Sequence, residues 1–289
     1  KHYEREDQGI MALKVNISAT VGFCAGVQNA VKKAQTAARK YGRVAMLGDI
    51  VHNEKVIREL TDLGVEVVQN LDQIEPTVPV LFRSHGTPRL IWDEARQRGL
   101  TIIDATCPLV RKIHTEVQML TKEGRQVIII GDKNHEEVSG IASQVSDSII
   151  VSSPEEAEHL PKMKKIGVVA QSTQMIENVS AIIAVLATKT DDLCFINTIC
   201  RPTRQRQEQI RKLALTNDVM LVVGSKNSAN TRRLAEIARK LNTNTYHIEN
   251  AEQINLEWFL NKTSVGVAAG ASTPVEVVEE VVKKITNFE

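Results

Sequence analysis

Three cysteines, Cys24, Cys107 and Cys200, lie 83 and 93 residues apart and divide a 289-residue chain into similar lengths. Thiolates are soft ligands that select zinc, copper(I) or iron–sulfur clusters. Structural zinc usually draws on close pairs such as C-x-x-C, and the chain has none. Ligands this far apart suit a buried cofactor assembled between lobes. A [4Fe–4S] cluster ordinarily takes four cysteines. With three, one iron can bind water or a substrate oxygen and act as a Lewis acid, which an enzyme needs and an electron carrier does not. A lone cysteine is more often a core residue than a ligand; three in matched register point to metal. Cys194 has no counterpart in the other segments and is expected to be inert.

Adding 28 to each cysteine number gives His52, His135 and Ser228. A second series, at offsets of 61, 65 and 72, gives His85, Ser172 and Ser272. With Asn230, these offer many hydrogen-bond donors and few fixed positive charges, which suits a phosphate or diphosphate. Glu136 and Glu137 follow His135 directly. A carboxyl group beside a cluster and a bound anion is expected to hold its proton more readily, as a general acid must. Adjacent glutamates at a helix start are also ordinary macrodipole partners. Residue type alone does not choose between the two. His2, His114, His159 and His247 lack matched placement and read as structural or exposed.

The elements that must position these groups follow from hydrophobic period. Each cysteine precedes a helix-period stripe: Val27, Val31, Ala34 and Ala38; Val110, Ile113, Val117 and Leu120; Ile210 and Leu213. Pro108 and Pro202 fit helix starts, a place that favours the thiolate form of the neighbouring cysteine. Short apolar runs ending in glycine, at 44–48, 127–131 and 219–224, read as buried parallel strands. Second helices then begin HNEKVIREL, NHEEVSGIA and NSANTRRLAEIA. Further strands end in VLFRSHGTP, IGVVAQSTQ and VGVAAGASTP. The pattern predicts an α/β fold of three similar lobes, each with a small, mainly parallel sheet, in a pseudo-threefold arrangement around a central cluster. Ligands of open parallel sheets bind beyond the carboxyl ends of the strands. The expected boundaries are 11–24 for an N-terminal strand and first ligand, 25–107 for lobe 1, 108–196 for lobe 2 and 197–285 for lobe 3. Residues 1–10 read as a tag or upstream remnant.

Composition narrows the function. Lys+Arg 36 against Asp+Glu 35 leaves a net charge of +1, without the basic excess of a nucleic-acid or anionic-membrane surface. No apolar run reaches the roughly 20 residues of a membrane span, and the start lacks the order of a signal peptide. With so few cysteines, a cytoplasmic location is expected.

GFCAGV at 22–27, VHN at 51–53, SHG at 84–86 and DATCPLV at 104–110 resemble the 4-hydroxy-3-methylbut-2-enyl diphosphate reductases. So do NHEEV at 134–138, INTIC at 196–200, GSKNSAN at 224–230 and AGAS at 269–272. The likeness runs from about Val15 to Val282. It implies an oxidoreductase of the last step of the non-mevalonate isoprenoid pathway, removing an allylic hydroxyl to give isopentenyl and dimethylallyl diphosphates. It further implies one [4Fe–4S] cluster per chain on Cys24, Cys107 and Cys200, with the substrate hydroxyl on the unique iron. Diphosphate binding falls to His52, His85, His135, Ser228, Asn230 and Ser272, and proton donation to Glu137. Ser172 stands where threonine is frequent and keeps a polar role in the substrate site. Ala229 stands where serine is frequent and removes a possible donor. Arg201-Pro202-Thr203-Arg204 is an unusual filling, yet Thr203, Arg206 and Gln207 remain. Lacking a second cluster motif, the chain is expected to take electrons from a ferredoxin or flavodoxin and to be a monomer. A non-redox iron–sulfur lyase, a quinolinate-synthase-like enzyme and a cluster-based sensor are the rivals; the first two need no net electrons, and the third would tolerate loss of Glu137.

Overall fold

The computed structural model describes residues 13–287. His2, and the reading of residues 1–10 as a tag or remnant, lie outside them. In chain order the elements are β1 (Lys14–Ile17), α1 (Ala25–Tyr41), β2 (Val44–Leu47), α2 (Glu54–Asp62), β3 (Val65–Val68), β4 (Val80–Phe82), α3 (Arg89–Gln97) and β5 (Ile102–Asp104). There follow α4 (Pro108–Lys122), β6 (Gln126–Ile130), α5 (Glu136–Ala142), β7 (Ser148–Val151), α6 (Pro154–Glu158), β8 (Lys165–Ala170), α7 (Ile176–Ala187) and β9 (Asp192–Phe195). The last are α8 (Arg201–Thr216), β10 (Val219–Val223), α9 (Ala229–Leu241), β11 (Thr245–Ile248), β12 (Ser264–Ala269) and α10 (Val275–Thr286).

The strands form three parallel four-stranded sheets, ordered β3-β2-β4-β5, β7-β6-β8-β9 and β11-β10-β12-β1. The first two sheets therefore hold four strands where the sequence pattern predicts two, and the third holds its two predicted strands, the expected N-terminal strand and one more. The unforeseen ones are short edge strands with mixed polarity, such as β3, where Glu66 is exposed between buried and half-buried valines. The third sheet is closed by the first strand of the chain, with Val15 opposite Val265. Cys24, Cys107 and Cys200 thus each follow an edge strand: β1, β5 and β9 respectively.

The central strands are buried on both faces because helices cover both. In β6, Ile128 and Ile130 pack with Ile182 and Leu186 of α7, while Val127 and Ile129 pack with Val117 and Leu120 of α4. That alternation is the period of two of a strand whose two faces both meet apolar surface. Each fully buried side chain of this size contributes about 1.5–3 kcal/mol. The chain divides into two compact units, one of residues 24–203 and one of the flanking residues. In the second unit, Leu221, Val223, Val265 and Val267 form the core with Val277, Val281 and Ile285 of α10. No helix among the described residues is long and apolar enough to cross a membrane.

Candidate active site

All three matched cysteines fall in the 24–203 unit, each at a helix start. Cys24 caps α1, its Sγ accepting from the Val27 N–H at 3.5 Å. Cys107 caps α4, whose first residue is Pro108. Cys200 directly precedes α8, with Sγ 3.1 Å from Thr203 Oγ1. Strand ends fix two of the backbones: the Cys107 N–H donates to the Ser84 carbonyl and the Cys200 N–H to the Ser172 carbonyl, each at 3.0 Å. Cys194 instead lies within β9, opposite Gly167 and packed against the core.

A methyl group added to Gly26 would stand 2.7 Å from Cys107 Sγ and 3.8 Å from Cys24 Sγ, so these sulfurs lie within 6.5 Å of each other. The charges of Cys24 and Glu137 reach both Cys107 and Cys200, which places the third thiol in the same neighbourhood. One zinc ion with sulfurs at about 2.3 Å would draw its thiolates to about 3.8 Å from one another. The thiols are not gathered that tightly. Among the described residues, the group whose ligand atoms all fall within 4.8 Å is His52, His85 and Glu136. A polynuclear centre fits the wider thiol set, and Gly26 keeps the space beside it clear.

Burial pushes the Cys107 and Cys200 thiols up, ahead of the lowering by N–H groups of Leu109 and Val110 and by Thr203. The helix-start N–H groups act in the expected direction, toward thiolate, and in the metal-free chain burial outweighs them. A metal centre held here would supply the missing positive charge, and its uptake would release protons.

The two glutamates separate by geometry. Successive helical residues are turned by about 100°, so the side chains leave the first turn of α5 in different directions. Glu136 forms an ion pair with Arg83 and stands 3.6 Å from His85 Nδ1. Glu137 is 2% exposed. The Ser172 N–H donates to its Oε1 at 2.5 Å and the Ser172 hydroxyl to its Oε2 at 2.8 Å. Glu137 is also the carboxylate whose charge raises both Cys107 and Cys200.

Three imidazoles meet at the strand ends of the same unit. His52 stacks on His85 with centroids 4.7 Å apart, and His135 stands edge-on at 6.0 Å from the first and 5.8 Å from the second. His135 caps α5, its Nδ1 accepting from the Glu137 N–H at 3.1 Å, which leaves Nε2 as the donor of the neutral ring. His85 is held well below the usual imidazole range by burial, then by His52, His135 and Arg83. Its Nδ1 and Glu136 Oε2 are buried without a hydrogen bond. An anion seated here would reverse the effect of crowded positive charge and favour protonated rings. The matched spacing is coarse by one residue in the first lobe: Asn53, not His52, caps α2, and Ser84, not His85, occupies the place that Ser172 fills.

In the other unit, Ser228 caps α9, its Oγ accepting from the Thr231 N–H at 3.4 Å. Asn230 and Ser272 are buried beside it in sequence and at the end of β12, and both amide atoms of Asn230 lack a partner. Ala229 is buried and its side chain offers no donor. Gly270 permits close packing here, since a Cβ would fall 2.0 Å from Thr231 Oγ1.

Sequence reasoning passed over Gly26 and Arg83. Gly26 could have been found as a glycine inside the first turn after a ligand, where helix propensity disfavours it by about 1 kcal/mol. Arg83 lies against Gly48, where a Cβ would meet its guanidinium at 2.6 Å, and that glycine also has φ +65°. His114 is half-buried with Nε2 unpartnered, His159 is exposed and His247 bonds the Gly224 carbonyl at 2.8 Å.

Comparison with known proteins agrees with this geometry. The LytB protein family matches residues 15–286. A 4-hydroxy-3-methylbut-2-enyl diphosphate reductase of Geotalea uraniireducens is 42% identical over 94% of this chain and 97% of its own length. That of Geobacter metallireducens is 41% identical over 96% and 98%. A solved (E)-4-hydroxy-3-methyl-but-2-enyl diphosphate reductase, described as the terminal enzyme of the non-mevalonate pathway, is 40% identical with a TM-score of 0.71, over 96% of this chain and 100% of that one. The E-1-hydroxy-2-methyl-but-2-enyl-4-diphosphate reductase of Plasmodium falciparum is 27% identical with a TM-score of 0.93, over 96% and 89%. With matched cysteines, histidine-bearing strand ends and near-complete coverage by its relatives, the chain belongs to the LytB protein family.

Proposed function

We propose that this chain is an iron–sulfur oxidoreductase that reductively removes the hydroxyl of 4-hydroxy-3-methylbut-2-enyl diphosphate, giving isopentenyl and dimethylallyl diphosphates. The names of its relatives make the reaction a reduction, which favours it over a non-redox lyase or a quinolinate-synthase-like enzyme. Cys24, Cys107 and Cys200 would hold one [4Fe–4S] cluster. Bound there, it supplies electrons singly and an iron that no protein group occupies.

The chain's own residues do the rest. Nε2 of His135, with His52 and His85, donates to the diphosphate, and binding at that remote end positions the allylic carbon. Ser228, Asn230 and Ser272 are proposed as further anion donors, on the support of the orphaned Asn230 amide. Ser172 orients Glu137 through its N–H and hydroxyl, and Glu137 delivers the proton that lets water leave. The enzyme is proposed to act in the cytoplasm as a monomer, drawing electrons from a ferredoxin or flavodoxin.

The observation that carries the reading is Glu137, buried against Ser172 and electrostatically coupled to two of the thiols. Glu137→Gln should leave substrate affinity within about twofold and lower turnover by a factor of about 10² or more. Anaerobic reconstitution, then a reduced-viologen assay with isothermal binding of the substrate, decides it. Undiminished turnover would remove Glu137 from its role.

A further inference from the structure

A groove of about 650 Å³ runs between α1 and the end of β5. Gly26 and Cys107 lie on it, and Lys32, Lys33, Lys40 and Arg111 surround it. All four cations are exposed. Asp104 is the one acidic residue of the lining; it faces Arg111 at 3.6 Å, and its carbonyl accepts from Lys33 Nζ at 2.7 Å. A net charge of +1 over the whole chain makes this local excess an asymmetry rather than a general basicity. None of His52, His85, His135, Glu137 or Ser172 lines the groove, so it is separate from the histidine cluster and the buried glutamate.

We infer that this groove is the docking site of an acidic ferredoxin, which passes electrons inward through Cys107. The inference rests on the proposed function. Each reduced carrier gives up one electron, so one turnover oxidises two. The substrate C–O bond breaks, two protons and two electrons are consumed, water leaves and a C–H bond forms. An electron entering from the groove meets Cys107, a proposed cluster ligand, in the groove's own lining. Low-potential iron–sulfur carriers deliver electrons singly, as a reductive cleavage requires. Fields from clustered charge raise encounter rates of an oppositely charged partner by 10–10³-fold and fade with salt, and electron-transfer encounters need little contact area. The other basic cleft of this unit, bordered by Arg89, Arg96 and Lys122, has no thiol in its lining. It serves as the control.

The test uses the reconstituted holoprotein and a plant-type [2Fe–2S] ferredoxin. Lys32→Glu/Lys40→Glu should weaken ferredoxin binding, and ferredoxin-driven kcat/KM, by about tenfold or more at low salt. The loss should shrink as salt rises, while viologen-driven turnover stays within twofold. Arg89→Glu/Lys122→Glu should leave ferredoxin binding unchanged. Equal binding by the parent and the Lys32/Lys40 variant, or an equal loss in the control, overturns the docking site. Flavodoxin binding that depends on the lysines while ferredoxin binding does not overturns the choice of carrier. Absence of viologen-driven turnover in the parent counts against the proposed reaction, and the binding arm still decides the docking site.

Discussion

Replacing Gly26 with alanine sets two effects against each other in the first turn of α1. The new methyl would stand 2.7 Å from Cys107 Sγ and 3.5 Å from its Cβ. Carbon atoms pack at about 3.5–4.0 Å, so something must move by about 1 Å. Overpacking of this kind costs about 1–3 kcal/mol. Alanine recovers up to about 1 kcal/mol of helix propensity over glycine. The net loss, about 0–3 kcal/mol, is small against a stability of about 5–15 kcal/mol, so the chain stays folded. The cheapest relief is rotation of Cys107 away from the methyl, which removes a ligand. Gly26→Ala is therefore expected to resemble Cys107→Ser in cluster content and the parent protein in thermal midpoint. Iron and acid-labile sulfide per chain after anaerobic reconstitution, read beside circular dichroism melting, separate the two quantities. A variant that loads as much iron as the parent would refute the view that Gly26 is required by the approach of two cluster thiols.

Other outcomes follow from neighbouring contacts. Ser172→Ala removes the hydroxyl donated to Glu137 at 2.8 Å; turnover should fall about tenfold, and Ser172→Thr should restore it, whereas equal activity of Ala and Thr variants would deny the hydroxyl a role. Glu136→Gln leaves Arg83, whose side chain is 17% exposed, without its counter-charge. Urea unfolding should register a loss of about 1–3 kcal/mol, with turnover far less affected than in Glu137→Gln. Burial pushes His114 down to about 4 against a weaker upward pull from Asp104. The unfolded chain binds a proton near pH 6.5 that the folded chain refuses, so stability should fall as pH drops from about 6.5 toward 4, by at most about 3 kcal/mol. His114→Gln should flatten that stretch of the profile; an unaltered slope would assign it to other groups.

The repeat was legible because its markers are strong: cysteine at a helix start, an apolar stripe, then a strand buried on both faces. Val110, Ile113, Val117 and Leu120 are all buried as their spacing predicts. The edge strands other than β1 were not, since four residues such as Thr245-Tyr246-His247-Ile248 gain their strand geometry from the neighbour they pair with. The site was legible in membership and blurred in roles. Adjacent glutamates look alike in sequence, and only the turn of α5 sends one to Arg83 and the other to Ser172. For the thiols, the pull of the helix starts was legible and the opposing burial was not.

The closing of the third sheet by β1 bears on synthesis. A chain emerging from the ribosome exposes Lys14–Ile17 some 250 residues ahead of the strand it pairs with, Ser264–Ala269. The stretch that carries the three proposed cluster thiols is complete by Thr203, while β1 must wait, unpaired, for β12. Its brevity, with a lysine at its head, suits that wait, because a short charged edge offers little to a passing strand. On the proposed reading, metal capture can thus precede the pairing of β1 with β12.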